Sequence, residues 1–131
     1  MLGYDLDGTI CESGPQRGKP FFHSTGEERR AFNELRRQHY LTAAVIRIPN
    51  DPFVIITGRS EKYRDETEVW LSNNNINPVD LCMLTSSRTR DNMIAHKIAA
   101  CKRFDVIRYY EDDKKIALAL SAAGIQVVLV G

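Results

Sequence analysis

The 131-residue sequence predicts an open, doubly wound α/β domain: a parallel five-stranded sheet with helices on both faces. Three observations carry this. Five short apolar runs recur along the chain, and they are continuously apolar more than alternating, as expected for strands covered on both sides. From residue 53 onward a segment of helical period separates each run from the next. Gly, Pro and Asn punctuate the joints, where the chain has to turn.

The first strand is LGYDL at 2–6. The stretch 11–22 (CESGPQRGKPFF) is rich in Gly and Pro and reads as loop. Residues 27–39 form a charged helix that carries Phe32 and Leu35 inward, while RRAFNELRRQ presents a solvated face. TAAVIRIPNDP at 42–52 is a short strand or a flap, and 11–52 is too short for a separate domain. FVIIT at 53–57, β-branched between Pro52 and Gly58, is the strongest strand candidate. A helix over 61–74, capped by Ser60, aligns Tyr63, Thr67, Trp70, Leu71 and Asn74 on one face. Trp70 at that spacing reads as core and not as a stacking platform. DLCMLT (80–85) is the third strand. A helix over 90–104 follows, capped by Thr89, with Ile94, Ile98, Cys101 and Phe104 together. VIRYYE (106–111) is the fourth strand. The helix 113–123 ends at Gly124, and QVVLVG (126–131) is the fifth strand.

The bulk numbers narrow the function classes. Hydrophobic residues at 43% and charged residues at 27% are ordinary for a globular domain. A net charge of +1 gives no global field directed at nucleic acid or membrane. The apolar runs are too short to span a bilayer, and no secretion signal opens the chain. Cys11, Cys82 and Cys101 lack metal-ligand spacing and read as reduced thiols, which sets the expectation of a cytoplasmic protein. His23, His39 and His96 are scattered, and Cys11 reads as a small buried hydrophobe.

Ligands of such sheets bind beyond the C-terminal ends of the strands. Those ends carry Asp5 and Asp7 with Gly8, then Thr57, Gly58 and Arg59, then Glu111, Asp112 and Asp113. Alternation along a strand sends residues i and i+2 to the same side, so Asp5 and Asp7 can address one group. The alternative is a strand end and turn, which Asp and Gly also favour. Several converging carboxylates repel one another and call for a hard cation such as Mg²⁺. Beside that cation one carboxylate can attack phosphorus, and a second can move the proton of the leaving oxygen and then of water. A Thr hydroxyl, backbone N–H groups and a Lys complete a phosphoryl-transfer inventory. Arg59 has two options: a substrate phosphate, or pairing with Asp65 or Glu66.

DLDGT (5–9), VIITGR (54–59), Lys97 on a helix and YYEDD (109–113) resemble the four ordered motifs of the haloacid dehalogenase (HAD) superfamily of phosphatases. The resemblance covers nearly the whole chain and implies a Rossmann-like HAD fold without a large cap domain. It implies that Asp5 is the nucleophile forming an aspartyl-phosphate and Asp7 the general acid/base. It implies that Mg²⁺ is held by Asp5, the Asp7 carbonyl and Asp112, with Asp113 as a second acidic residue. The division between Asp112 and Asp113 stays open, because the acidic strand end departs from the commoner Gly-Asp form, and Glu111 is expected to be a bystander. Thr57, with Gly58 and Arg59, matches the phosphate-binding turn. Lys97 matches the Lys that steadies nucleophile and phosphate, with Arg88 or Arg90 as alternatives.

The stretches IITGRSEKYRDETEVWL and EDDKKIALALSAAGIQVV are further similar to the phosphatase domain of phage polynucleotide kinase-phosphatases, through Arg59, Thr67, Trp70, Asp112 and Asp113. That implies a phosphatase acting on a nucleic-acid 3′ end or a nucleotide. No kinase P-loop is present in the sequence. A minimal cap leaves an open site, which suits a macromolecular end, or a second copy or partner chain that closes it. Arg17, Lys19, Arg29 and Arg30 are either an approach for phosphates or solvated surface charge. The alternative functions are a small-molecule nucleotidase and a non-catalytic HAD-like binding module.

Overall fold

In the computed structural model, residues 1–15 and 25–131 are described; Arg17, Lys19, His23 and residues 16–22 of the expected loop lie outside them. Five parallel strands run in the order β3-β2-β1-β4-β5, where β1 is Leu2–Tyr4, β2 Phe53–Ser60, β3 Asp80–Leu84, β4 Arg108–Glu111 and β5 Val127–Leu129. The central β1 pairs on both sides, Gly3 with Val54 of β2 and with Tyr109 of β4. Four helices connect the strands: α1 Gly26–Thr42, α2 Arg64–Asn73, α3 Arg90–Arg103 and α4 Lys114–Ala122. A 3₁₀ turn, Glu61–Tyr63, leads into α2 and is capped by the Ser60 side chain.

Successive β2 side chains alternate between two cores. Phe53 and Ile55 join Tyr4, Leu6 and Trp70 on one face; Val54 and Ile56 join Tyr109, Ile116 and Leu120 on the other. Each fully buried aliphatic or aromatic side chain there contributes roughly 1.5–3 kcal/mol. Helices α1 and α2 pack together, as do α3 and α4. The caps are those the sequence predicts: Thr89 Oγ1 accepts the Asn92 N–H, and Gly124 turns the chain after α4 at a φ of +89°. The chain winds outward from β1 to β3 and then crosses back to β4, so the strand order reverses beside β1. A crevice opens at the carboxyl ends of β1 and β4.

The structure corrects the sequence reading in three places. First, β1 stops at Tyr4, not Leu6. Asp5 still donates its N–H to the Tyr110 carbonyl (2.9 Å), after which the chain folds into a turn in which Ile10 N–H bonds to the Leu6 carbonyl at 2.9 Å. Asp5 and Asp7 therefore share a cavity because of this turn, not because of strand alternation. Second, Leu35 of α1 is 59% exposed, and Arg36 and Tyr40 face inward instead. The inner face of α1 covers charged groups as well as apolar core, which an apolar-periodicity reading cannot detect. Third, of the two options for residues 42–52 the short strand does not form: they contribute one antiparallel bridge, Val45 to Cys11. Among the described residues no helix is long and apolar enough to cross a membrane.

Candidate active site

A cavity of about 300 Å³ opens at the carboxyl ends of β1, β2 and β4. Asp5 and Asp7 line it from the β1 turn, Thr57, Gly58 and Arg59 from the end of β2, Lys97 from α3, and Asp112 and Asp113 from the turn after β4. Glu111, Arg88 and Arg90 line it as well. The residues singled out at the strand ends, with Lys97, thus meet in one place, though in two different electrostatic settings, whereas Arg29 and Arg30 do not line it.

The first setting surrounds Asp5. Lys97 Nζ lies 3.2 Å from Asp5 Oδ1 and 2.6 Å from Glu111 Oε1, and all three residues are buried. Burial alone would lower the Lys97 pKa, but Asp5 and Glu111 outweigh it and raise it, so the ammonium stays charged. Glu111, expected to be a bystander, is instead a structural centre of the site. Its other oxygen accepts the N–H groups of Asp112 and Asp113, both at 3.1 Å. It shares the inward side of β4 with Tyr109 two residues earlier, and that spacing was the available signal.

Ligand oxygens of Asp5, Glu111 and Asp112 lie within 4.8 Å of one another, against one nearby ammonium. Burial, followed by the Asp5 carboxylate beside it, pushes Asp112 up to about 7. Burial and the Asp5 charge push Glu111 up as well. An all-oxygen cluster with this excess of negative charge fits a hard divalent cation, with Asp5 and Asp112 as the side chains free to hold it. Asp113 has one oxygen committed to capping α4, through the Ile116 N–H at 3.0 Å. Gly8 packs against this cluster at a φ of +81°, and a Cβ there would stand 2.0 Å from Asp112 Oδ2. Only glycine meets both conditions.

The second setting surrounds Asp7. Arg59 grips it in a fork, Nε to Oδ2 and Nη2 to Oδ1, both at 2.9 Å. His39 Nε2 sits 3.1 Å from Asp7 Oδ1. Arg59 is itself 1% exposed, donates to Thr67 Oγ1 at 3.1 Å, and stacks over the Tyr40 ring at 3.9 Å. Its ionic partner is thus Asp7, and neither Asp65 nor Glu66. Burial by itself would raise the Asp7 pKa, yet the Arg59 bonds, with His39, hold it well below the usual carboxylate range. His39 is a site residue the sequence did not reveal: it lies in the irregular insertion, and a lone His on a charged helix carries no pattern.

Between the two settings, β2 runs on past the expected end at Thr57 to Ser60, with a register shift against β3 between Ile56 and Ser60; Thr57 is buried there, and its hydroxyl accepts the Arg59 N–H at 3.1 Å. Gly58 permits close approach of α3, since a Cβ would come 2.5 Å from Met93 Sδ. Arg88 Nε donates to the Gly58 carbonyl at 3.2 Å, so Lys97, and not Arg88, stands at Asp5. Trp70 is core: it is 1% exposed and its Nε1 donates to the Ala43 carbonyl at 2.8 Å. Cys11 is buried, and burial raises its thiol pKa, so it is not a reactive thiolate.

No protein-family model and no curated protein matches the sequence. Solved structures do match the fold. A HAD-superfamily hydrolase of subfamily IA, variant 1, from Geobacter sulfurreducens PCA superimposes with a TM-score of 0.59 at 14% identity, over 98% of this chain and 85% of that one. A haloacid dehalogenase-like family hydrolase from Streptococcus pneumoniae superimposes with a TM-score of 0.60 at 14% identity, over 99% of this chain and 83% of that one. The five-stranded parallel sheet, its helices on both faces and these superpositions give the chain the fold of the HAD-type hydrolases.

Proposed function

We propose that this protein is a Mg²⁺-dependent phosphomonoester hydrolase in which Asp5 is the nucleophile, and that its substrate is a nucleic-acid 3′ end or a nucleotide. The observation that carries the reading is the buried Lys97 ammonium between Asp5 and Glu111, with Asp112 beside them, at the reversal point of the sheet. An ammonium 3.2 Å from Asp5 Oδ1 offsets part of the negative charge gathered there and limits the orientation of that carboxylate. A divalent cation bound by Asp5 and Asp112 would screen the approach of a phosphate dianion to a carboxylate.

An Asp5 oxygen bonds to phosphorus while the ester P–O bond breaks, and the leaving oxygen takes a proton. Water then attacks the aspartyl-phosphate phosphorus, gives up a proton, and releases inorganic phosphate with Asp5 restored. Thr57 and Gly58, near the end of β2, line the side of the cavity where the phosphoryl oxygens would sit, and the Thr57 hydroxyl would donate to one of them. Asp7 would handle both protons. As a carboxylate gripped by Arg59 it is ready to accept the proton of water. To act as the acid in the first step it has to carry a proton, so substrate binding must loosen the fork.

The test is hydrolysis of p-nitrophenyl phosphate and of 3′-phosphorylated oligonucleotides, with Mg²⁺ or with EDTA, by the wild type and by Asp5→Asn. Hydrolysis that needs Mg²⁺ and disappears in Asp5→Asn supports the reading. Undiminished hydrolysis by Asp5→Asn removes the nucleophile assignment, and equal rates on oligonucleotides and unrelated phosphomonoesters remove the substrate class.

A further inference from the structure

A second cavity, of about 180 Å³, adjoins the first and shares Asp7 and Arg88 with it. Its other charged wall is Arg36 of α1, with His39 and Tyr40 beside it. Arg36 is 7% exposed. Its guanidinium carbon lies 5.0 Å over the Phe32 ring, and among the described residues no hydrogen bond or ion pair engages the guanidinium. A buried guanidinium carries five N–H donors and a charge that cannot be shed, so leaving it without an anion is costly.

Charge balance sharpens the point. Asp7, the carboxylate lining this cavity, is already neutralised by the Arg59 fork. Arg88 spends one N–H on the Gly58 carbonyl and forms no ion pair among the described residues. Among the described residues, therefore, two guanidiniums, the buried one of Arg36 and the exposed one of Arg88, line the cavity without a compensating anion. Asp5 and Lys97 line the first cavity and not the second, whereas Asp7 lines both. The second cavity thus lies on the side of Asp7 away from the nucleophile, where the leaving group of a phosphoester would extend.

We infer that the cavity beneath Arg36 and Arg88 is a binding site for a second phosphate or phosphodiester group on the leaving-group side of the substrate. This rests on the phosphomonoesterase reading above for its orientation, and Arg36 and Arg88 are its specificity-determining residues. A nucleoside 3′,5′-bisphosphate and the 3′-phosphorylated end of a polynucleotide both present that chemistry.

Binding separates the inference from catalysis. Calorimetry with the full-length Asp5→Asn chain and Mg²⁺ would compare a nucleoside 3′-monophosphate, the corresponding 3′,5′-bisphosphate, and a dinucleotide bearing a 3′-phosphate. The expected result is that one or both two-phosphate ligands bind about tenfold more tightly than the monophosphate, the equivalent of one charge-assisted hydrogen bond. Tight binding of the bisphosphate alone identifies a small-molecule substrate; tight binding of the dinucleotide identifies a polynucleotide end. Adding Arg36→Gln should collapse the ratio toward one, and Arg36→Lys should restore part of it. If Arg36→Gln does not fold, Arg88→Gln and Arg36→Lys read the same ratio. A ratio near one before any change at Arg36, or a ratio unaffected by these substitutions, overturns the site. A chain that hydrolyses no phosphomonoester yet keeps the ratio overturns the proposed reaction and leaves the anion site standing.

Discussion

Asp5 and Asp7 stand two residues apart in one turn, and the protein treats them in opposite ways. Asp5 sits among Glu111 and Asp112 with a single buried ammonium, a setting with surplus negative charge that calls for a cation. Asp7 sits against Arg59, His39 and, across the adjoining cavity, Arg36 and Arg88, a setting with surplus positive charge that calls for an anion. The sheet separates the suppliers. Lys97 comes from the α3 side, whereas His39, Arg36 and the Thr67 and Tyr40 that seat Arg59 come from the α1 and α2 side. On the proposed reading, a site built this way would hold a metal on one side of the reacting phosphorus and a phosphorylated leaving group on the other.

The contrast breaks most severely at Lys97. In Lys97→Met the Asp5 and Glu111 carboxylates lose their shared partner in the interior, and the expected cost is about 3–5 kcal/mol in chemical denaturation. Retained wild-type stability would show that the ammonium is not what holds the acidic side together. On the other side, Arg59→Gln strips Asp7 of a charged fork. An expected loss of roughly 2–3 kcal/mol, together with lost turnover, can be checked by urea titration and initial rates on the same preparation.

The two sides should also respond oppositely to pH. Asp7 has a depressed folded pKa, so the stability it contributes is present above its unfolded value of about 3.9 and is lost as pH falls below it. Asp7→Asn should therefore show a shallower acid decline than the wild type. Asp112 has a folded pKa pushed up to about 7, so the stability linked to its proton is present below its unfolded value and lost as pH rises through about 7. Metal-free protein should lose stability across that window. Mg²⁺ should offset the loss above about pH 7 and do little in mild acid, where protons compete for the same oxygens. Melting curves with and without Mg²⁺ that run parallel at all pH values would place the cation elsewhere. The smallest effect belongs to Leu35→Ala: on an exposed face of α1 it should change stability by within about 0.5 kcal/mol.

The acidic side was far more legible in the sequence than the basic side, for a physical reason. Asp5 and Asp112 follow strands and Thr57 ends the apolar run of another, and strands announce themselves through such runs, so these positions can be found by counting. Regular caps and periodic faces located α2, α3 and α4 in the same way; Thr89, Trp70 and Gly124 each stand where expected. The partners of Asp7 lack such markers. Arg59 is visible but its direction is not, since a fork on Asp7 depends on the turn after β1. Arg36 and His39 lie on a helix whose inner face is partly charged, where apolar periodicity favours Leu35, the wrong side. Glu111 was obscured by its acidic neighbours, and only its spacing from Tyr109, two residues earlier on β4, marks it as the member that turns inward.

The central claim is that Asp5, and not water, makes the first bond to phosphorus. A rapid acid quench of the protein turning over a ³²P-labelled phosphomonoester with Mg²⁺ tests it most directly. The account predicts a label that is stable in acid, released by hydroxylamine, located by peptide mapping to Asp5, and absent from Asp5→Asn. Turnover with no protein-bound label, together with full hydrolysis by Asp5→Asn, would contradict it.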